Sequence, residues 1–351
     1  MVGHRFAYAG FPVLFRNVCT MNTLSCMHQL QTLGDSPFGS LRNTKHLTIY
    51  HGTWPLLDCR GDWDRNALWV GCRSWANSRA AEDAFRRYTQ FITQEALREF
   101  KPDAQFRKLI HSFPTLNSIT ISHVNRWDWK PLNNEQYNAL IKKIWILPYW
   151  TSFVADAVFS LLNVLHFFPH IRRLNIFGSL SPEHYVPGVY PAVSHLQVRS
   201  LISCNALKTK TRDFLASFPN LSELSISLEP GGPLNEQKLL LDALHWPQLC
   251  YFALYNVWIS ENELFGFVER HGRLRHLALD RITLIQGSWE SFFVRYRDLQ
   301  NRPSIEAQVL FAISSPDCVV EPEPLRLFLS QKDLPWPFFD LSDGIFPFDL
   351  E

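Results

Sequence analysis

The chain has 351 residues and a formal net charge of +1, and 46% of its residues are apolar, 14% aromatic and 19% charged. This composition excludes a globally disordered chain, because it supplies ample apolar side chains to bury. A nearly neutral chain also has no overall positive field to attract nucleic acid or an anionic membrane, so we expect neither as a partner.

The cysteine pattern indicates the redox environment of the protein. The seven cysteines are odd in number and widely spaced, and no pair has the C-x-x-C spacing. This pattern favours reduced thiols over a disulfide framework or a zinc site, and it indicates a cytoplasmic or nuclear protein. We expect no cofactor. The N terminus lacks the sustained apolar region of a signal peptide. The most apolar stretch, residues 145–171, is interrupted by polar residues and predicts a buried amphipathic helix rather than a membrane span.

A nine-residue phrase recurs along the chain. Its first residue is aromatic or large, and its second is usually Pro. Its fourth, seventh and ninth residues are usually apolar, its fifth, sixth and eighth are mostly polar, and its third varies. The last four intervals between copies are 22, 28, 28 and 25 residues, and such periods with an L-x-x-L-x-L core are typical of leucine-rich repeats. We therefore predict an α/β leucine-rich-repeat solenoid, with a curved parallel sheet on its concave side and helices on its convex side. The seven copies begin at Leu41, Phe113, Phe168, Tyr190, Phe218, Trp246 and His271.

The repeats predict three regions. Residues 1–38 form an N-terminal helical segment, residues 39–313 an irregular repeat array, and residues 314–351 an acidic tail rich in Pro and Phe that caps the array. Within the array, residues 51–105 contain an insertion with a predicted helix, SRAAEDAFRRYTQFITQEALREF, and residues 125–160 contain the helical pattern NNEQYNALIKKIWIL. The tail carries eight acidic and two basic residues, so binding of a partner is the alternative to capping.

Helical patterns precede the clear copies of the phrase. Apolar residues recur at intervals of three and four in DAVFSLLNVLHF, TRDFLASF and EQKLLLDALHW, and the Pro of the phrase prevents each helix from continuing. Ser260 and Glu263 form a predicted capping box before LFGFVERHG, and Ser288 is a predicted N-cap for WESFFVRYRDL. The last clear strand covers residues 275–279, so we expect the array to end near residue 300.

Side chains of a strand alternate between its two faces, which predicts the residues that a partner would contact. The apolar pair of each phrase points to the core, and the residues beside and between the pair point outward. Aromatic residues and arginine are the types that most often anchor protein interfaces. The alternative interpretation is an ordinary solvated sheet face. The predicted partner-binding residues on the concave face are Arg173, Phe177, Arg199, Tyr251, Tyr255 and His276.

Two further motifs could hold a metal. Asp62 and Asp64 form a D-x-D pair, which coordinates a metal in nucleotide-sugar transferases, so a metal-dependent enzyme is a remote alternative to a solvated loop. His166 and His170 are four residues apart, but Pro169 should break a helix before the second histidine. The chain has no G-x-S-x-G, G-x-G-x-x-G or P-loop motif. We therefore assign no catalytic residue and predict a protein that is not an enzyme.

The phrases FPHIRRLNI, FPNLSELSI and HGRLRHLALDRITL resemble the irregular leucine-rich repeats of fungal F-box-like proteins, over roughly residues 40–300. The resemblance implies a substrate-recognition subunit of a ubiquitin ligase, in which an F-box docks a Skp-type adaptor and cullin while the repeats hold the substrate protein. The segment FPVLFRNVCTMNTL lacks the early acid of an F-box helix, so residues 1–38 are a degenerate F-box or a cap. Val257 and Ile282 stand where the commonest repeats have Asn. The alternative is a stand-alone interaction protein without a ubiquitin link.

Overall fold

The computed structural model describes the chain in nine stretches, together with six separate residues between positions 82 and 93. The chain divides into two compact units, Met1–Gly178 and Ser179–Glu351. Each unit combines helices with mainly parallel strands, so the predicted α/β class is confirmed. Among the described residues, no helix is long and apolar enough to cross a membrane. The nine stretches are residues 16–21, 24–35, 43–51, 102–123, 154–204, 206–229, 239–312, 315–319 and 322–337.

In the first unit, parallel strands pair in the order in which they occur in the chain, with a helix in each connection. The second helix packs against the first and the third. The third helix buries the apolar stripe that its sequence predicts. The elements are β1 (Asn17–Met21), α1 (Leu24–Gly34), β2 (His46–His51), α2 (Pro102–His111), β3 (Ser118–His123), α3 (Ala155–Leu165) and β4 (Arg173–Leu180).

The second unit contains two sheets. Parallel strands pair in the order β5-β6-β7-β9-β11, and a smaller sheet has the order β13-β12-β10-β8, in which only β13 is antiparallel to its neighbour. The strands are β5 (His195–Leu201), β6 (Glu223–Leu228), β7 (Tyr251–Tyr255), β8 (Trp258–Ser260), β9 (His276–Asp280), β10 (Ile282–Gln286), β11 (Ser304–Ala307), β12 (Val309–Ala312) and β13 (Ser315–Val319). The helices are α4 (Lys208–Ala216), α5 (Glu261–Arg270), α6 (Trp289–Arg297) and α7 (Pro322–Ser330).

Each of the seven phrases forms a strand that begins at its sixth residue, so the predicted strands are confirmed. We call these strands, β2 to β7 and β9, the ladder strands. Within each unit they pair at equivalent phrase positions, as in the alignment of Glu223 with Tyr251 and of Tyr251 with His276. The apolar pair of every phrase is at most 2% exposed. Burial of these pairs on one face fixes the register, because a slip by one residue would expose all of them.

Backbone hydrogen bonds repeat along with the phrase. The carbonyl of the fifth phrase residue accepts from two consecutive amides of the next strand, as Cys250 O does from Arg275 N (2.8 Å) and His276 N (3.1 Å). Within the phrase, the amide of the fourth residue donates to the carbonyl of the first, as Leu249 N does to Trp246 O (3.0 Å). This bond closes a four-residue turn, and Pro suits the second position of such a turn because its φ is already fixed. The Pro therefore both ends the helix and shapes the turn into the strand.

The pairing of strands extends beyond the seven phrases at both ends. The N-terminal segment was predicted to be helical, but its residues 17–21 form β1, which pairs with β2. Likewise β11 pairs with β9 beyond the expected end near residue 300. Both strands lack the Pro-led phrase, and their pairing rests on backbone hydrogen bonds that the side-chain pattern does not reveal.

The helix predicted over EQKLLLDALHW is wrong for its described part, residues 239–246, which forms turns. The Leu241 amide donates to the Glu263 carboxylate (2.7 Å), and the Leu241 carbonyl accepts from the Arg270 guanidinium (3.2 Å). Leu239, Leu241 and Leu244 are all buried. Contacts with α5 thus satisfy the backbone and bury the leucines in an irregular conformation, which outweighs the helical preference of the sequence.

The smaller sheet begins where two ladder strands end. Asn256 after β7 and Arg281 after β9 have positive φ angles of 56° and 55°, and each turns the chain into a strand of the smaller sheet. Val257 and Ile282, which stand at the position of the usual Asn, are fully buried. An apolar residue at this position supports the second sheet, which the sequence did not predict.

Glu261, the first residue of α5, links the start of α5 to the start of α6 through its side chain. Its carboxylate accepts hydrogen bonds from Ser288 N (3.0 Å), Ser291 Oγ (2.7 Å) and Arg295 Nη1 (3.0 Å). The side chain is only 8% exposed. Burial alone would raise the pKa of Glu261, but these hydrogen bonds and the charge of Arg295 hold it below its ordinary value of 4.5. Gly287, with φ +94°, passes so close that a Cβ there would clash with Glu261.

The N-caps predicted for α5 and α6 are confirmed. Ser260 Oγ accepts from Glu263 N (3.2 Å), and Ser288 Oγ accepts from Ser291 N (3.1 Å). Each bond satisfies one of the amides that a helix start leaves without an intrahelical partner. The caps fix the first residue of each helix and so place Glu261 beside Ser288.

The described part of the acidic tail packs on α6. The Trp336 ring stacks on Phe293 at 5.5 Å, and Lys332 Nζ lies 2.8 Å from Asp298 Oδ1. The Arg297 guanidinium lies 4.4 Å from the ring centroid of Phe328 in α7. These contacts place aromatic side chains of the tail against α6, the helix that follows β10.

Several predictions fall on residues outside the described stretches. These include Asp62 and Asp64, the helical pattern within residues 125–153, and most of the predicted insertion helix. The described residues of that helix are helical, and Thr93 Oγ1 donates to the carbonyl of Thr89 (2.8 Å), four residues earlier.

We predict that Glu261→Gln destabilises the protein by about 1–3 kcal/mol at pH 7, because the substitution removes charge-assisted hydrogen bonds. The lowered pKa means that the unfolded chain binds the proton more tightly. The stabilisation by the Glu261 carboxylate is therefore complete above pH 4.5 and is lost as the pH falls below this value. In acid, the free energies of unfolding of wild type and Glu261→Gln should become equal. Urea unfolding at a series of pH values measures the difference. Glu290→Gln, an exposed neighbour, is the control, and a pH-independent gap between wild type and Glu261→Gln would contradict the assignment.

Candidate interaction face

Two residues of the predicted patch, Arg173 and Phe177, lie on β4 in the first unit. Arg173 is exposed and Phe177 is half-buried. The carbonyl of Phe177 lies 2.9 Å from Nδ1 of His123 on β3. Burial lowers the pKa of His46 on β2, and the charges of Arg16 and Arg173 lower it further. Arg173 therefore adds positive charge to this stretch of strands.

In the second unit, Tyr251 and His276 lie opposite each other on neighbouring strands, and their rings stack at 5.0 Å with an interplanar angle of 10°. Tyr255 lies four residues after Tyr251 on the same face of β7. Burial raises the pKa of Tyr251, and the nearby Tyr255 and Glu306 raise it further. The fold thus brings three of the predicted residues together, and we call Tyr251, Tyr255 and His276 the aromatic cluster.

Carboxylates lie on both sides of the aromatic cluster. On one side, Glu223 of β6 aligns with Tyr251, and its Oε1 lies 3.1 Å from Nε2 of His195. On the other side, Oε1 of Glu306 lies 3.6 Å from Nε2 of His276, and the Glu306 side chain is 73% exposed. The cluster is therefore an aromatic surface between acidic groups that solvent can reach.

The histidines of this face are held in fixed orientations by serines. His276 Nδ1 lies 2.9 Å from Ser304 Oγ, and Ser304 Oγ donates to the carbonyl of Arg275 (3.0 Å). Glu306 Oε1 lies beside the other ring nitrogen of His276, so Ser304 and Glu306 together orient the ring that stacks on Tyr251.

Arg199, the remaining predicted residue, is exposed on β5 and is separated from the aromatic cluster by β6. The middle positions of β6, β7 and β9 carry Ser225, Ala253 and Ala278, which align with one another. Ala253 and Ala278 are buried, so this row of small residues belongs to the packed part of the strands.

The outward positions of the phrase predicted Glu223 and His195 on this face, but not their contact; a carboxylate opposite an imidazole on neighbouring copies could have indicated a cross-strand pair. Sequence reasoning missed Glu306 and Ser304. Ser304 and Glu306 lie on β11, which has no phrase to mark it.

Metal binding finds no support in the described stretches. They contain no group of three or more His, Cys, Asp or Glu side chains placed to hold a metal ion. Helix α3 ends at Leu165, before both candidate histidines, and His166 packs its ring on Phe167 at 3.8 Å. The predicted interruption of the helix between His166 and His170 therefore occurs one residue before the first of them.

Comparison with known protein families, curated proteins and solved structures finds no match for this chain. The resemblance to F-box-like proteins therefore stays a prediction. The interaction face is characterised by its own geometry, which combines the Tyr251–His276 stack with two contacts between a histidine and a glutamate.

We predict a coupling free energy of about 0.5–1.5 kcal/mol between Tyr251 and His276, because their rings stack across neighbouring strands. A double-mutant cycle with Tyr251→Ala and His276→Ala, read by urea unfolding, measures it. The control cycle pairs His276→Ala with Ser225→Ala, whose strands are separated by β7, and should show coupling below about 0.5 kcal/mol. Equal coupling in the two cycles would refute a specific ring contact.

Proposed function

We propose that the chain is a leucine-rich-repeat solenoid that acts as a non-enzymatic protein-binding scaffold in the cytoplasm or nucleus. Its partner is a protein that contacts the outward side chains of the ladder strands. In this proposal the first unit presents Arg173 and Phe177, and the second unit presents Arg199 and the aromatic cluster.

The proposal rests on the difference between the buried and the outward positions of the phrase. The buried positions of the ladder strands repeat the same kind of apolar residue, whereas the outward positions differ from strand to strand and include Glu223, Tyr251 and His276. A constant framework with varied outward side chains is what a repeat protein uses to build an extended binding surface. Tyr and Arg on such a surface are frequent anchors of binding energy.

The aromatic cluster favours a protein partner over a small molecule. Its rings lie on strands with small residues beside them, and Glu306 is largely exposed. Sites for small molecules are concave and bury most of the ligand surface. An open row of rings and carboxylates suits the hydrophobic centre and polar rim of a protein interface.

Within this class, the F-box resemblance favours a substrate-recognition subunit of a ubiquitin ligase. In that case a Skp-type adaptor and cullin would bind the chain apart from the strand face, through the N-terminal segment. The alternative is a stand-alone scaffold that holds a protein without any ligase. The remote alternative, a metal-dependent enzyme, rests on Asp62 and Asp64 alone.

The test compares proteins captured by the intact chain and by a variant with Tyr251→Ala, Tyr255→Ala and His276→Ala. We expect at least about a tenfold loss of the partner from this variant, since each anchor residue of an interface contributes more than about 1 kcal/mol. Quantitative mass spectrometry of the captured proteins gives the ratio. The matched control is a variant with Lys208→Ala, Glu269→Ala and Glu290→Ala, which changes exposed helical residues.

Two outcomes separate the alternatives. Recovery of adaptor and cullin with both the wild type and the strand-face variant supports the ligase subunit, because the adaptor would bind elsewhere. A partner that depends on the aromatic cluster, without any adaptor, supports the stand-alone scaffold. Loss of the partner from the helix variant alone would contradict binding by the strand face. Both variants must be fully folded under the capture conditions for the comparison to hold, which urea unfolding curves check.

A further inference from the structure

A basic cleft lies at the N-terminal edge of β7, β9 and β11 in the second unit. Its volume is about 740 Å³, within the range of ligand sites. Three arginines line it, one of which directly precedes β9, together with polar side chains from the turns before β7 and β11. The residues that matter for the argument are Arg273, Arg275, Arg302, Gln248 and Asn301.

The lining carries three positive charges and no carboxylate. Guanidinium groups stay protonated at any physiological pH, and all three arginines are exposed. Three like charges around one cleft repel one another, and an anion bound between them would offset this repulsion. The charge of the lining therefore favours an anionic ligand.

Two of the arginines are held in place by the protein. Arg273 Nη1 donates to Gln248 Oε1 (2.6 Å), and Arg302 Nη1 donates to the carbonyl of Leu329 (2.5 Å). Each of these contacts engages one guanidinium nitrogen and leaves other N–H groups for a ligand. Arg275 has no side-chain hydrogen bond or ion pair within the described stretches. Two oriented forks and one guanidinium without a protein partner thus surround the same space.

Space for a ligand is open at the turn before β9. A Cβ placed on Gly272 would meet no atom within 4 Å. The turn is closed by a hydrogen bond from Leu274 N to His271 O (2.8 Å), and His271 is buried, so the backbone beneath the arginines is fixed. Because the backbone of this turn is already fixed, binding of a ligand costs less conformational entropy.

We propose that this cleft binds a phosphomonoester, carried either by a phosphorylated protein side chain or by a small phosphorylated molecule. The planar fork of arginine matches the oxygens of a phosphate group with two parallel hydrogen bonds, and a dianion balances more of the positive charge than a carboxylate does. The site is distinct from the aromatic cluster, and the inference does not depend on the proposed protein-binding function.

The test is calorimetric titration of the full chain with O-phosphoserine at low ionic strength and pH 7.5, where the phosphate is largely dianionic. We expect Arg273→Gln combined with Arg275→Gln to weaken binding at least about tenfold. The single variant Arg275→Gln removes no hydrogen bond or ion pair of this side chain within the described stretches, so it should also weaken binding while the unfolding midpoint stays unchanged. Arg172→Gln combined with Arg326→Gln removes the same charge from exposed positions elsewhere and should bind like the wild type.

Further ligands distinguish the two sources of the phosphate. Tighter binding of phosphoserine peptides than of O-phosphoserine assigns the cleft to a phosphorylated protein, and equal binding of glycerol phosphate assigns it to a small molecule. Absence of binding by the wild type would overturn the proposal, as would equal affinities of wild type and the Arg273 and Arg275 variants. Tighter binding of a single-stranded RNA oligonucleotide than of any phosphomonoester would overturn it as well.

Discussion

The structure depends on the pairing of equivalent phrase positions between neighbouring parallel strands. The fifth carbonyl of one phrase binds the fifth and sixth amides of the next. Burial of the apolar pairs selects this register over shifted ones. Side chains of a strand alternate with a period of two, and this register therefore sends every apolar pair to the same face. The opposite face is then free to carry residues that contribute little to folding, and both the aromatic cluster and its flanking carboxylates lie there.

The edges of the sheet are determined by the same repeat. The turn at the start of each phrase lies at the N-terminal edge, where Arg275 and Arg302 meet around the basic cleft. At the opposite edge, the positive φ angles of Asn256 and Arg281 direct the chain into the smaller sheet, and Glu261 ties the helix starts that follow. The outward strand face, the basic cleft at one edge and the Glu261 contacts at the other thus differ in chemistry, although all three are positioned by the same strands.

Prediction from the sequence succeeded where the phrase determines the local structure. The Pro-led turn and the buried apolar pair marked seven strands, and the serines at residues 260 and 288 marked two helix starts. It failed where tertiary contacts decide the conformation. Strands β1 and β11 form by backbone pairing, although neither contains the phrase. Residues 239–246 have a helical sequence pattern but form turns, because α5 supplies hydrogen-bond partners for their backbone. For the candidate site, sequence periodicity identified the aromatic cluster, but Ser304 and Glu306 could be placed only once β11 was seen to pair with β9.

One face of each ladder strand should hold the fold, and the opposite face should contribute little to stability. Alanine substitution at each position of β6, Glu223–Leu228, followed by urea unfolding, measures this difference. We expect losses of about 2–5 kcal/mol at Leu224, Ile226 and Leu228. We expect losses below about 1 kcal/mol at Glu223, Ser225 and Ser227. Similar losses at both sets of positions would contradict the division between framework and face.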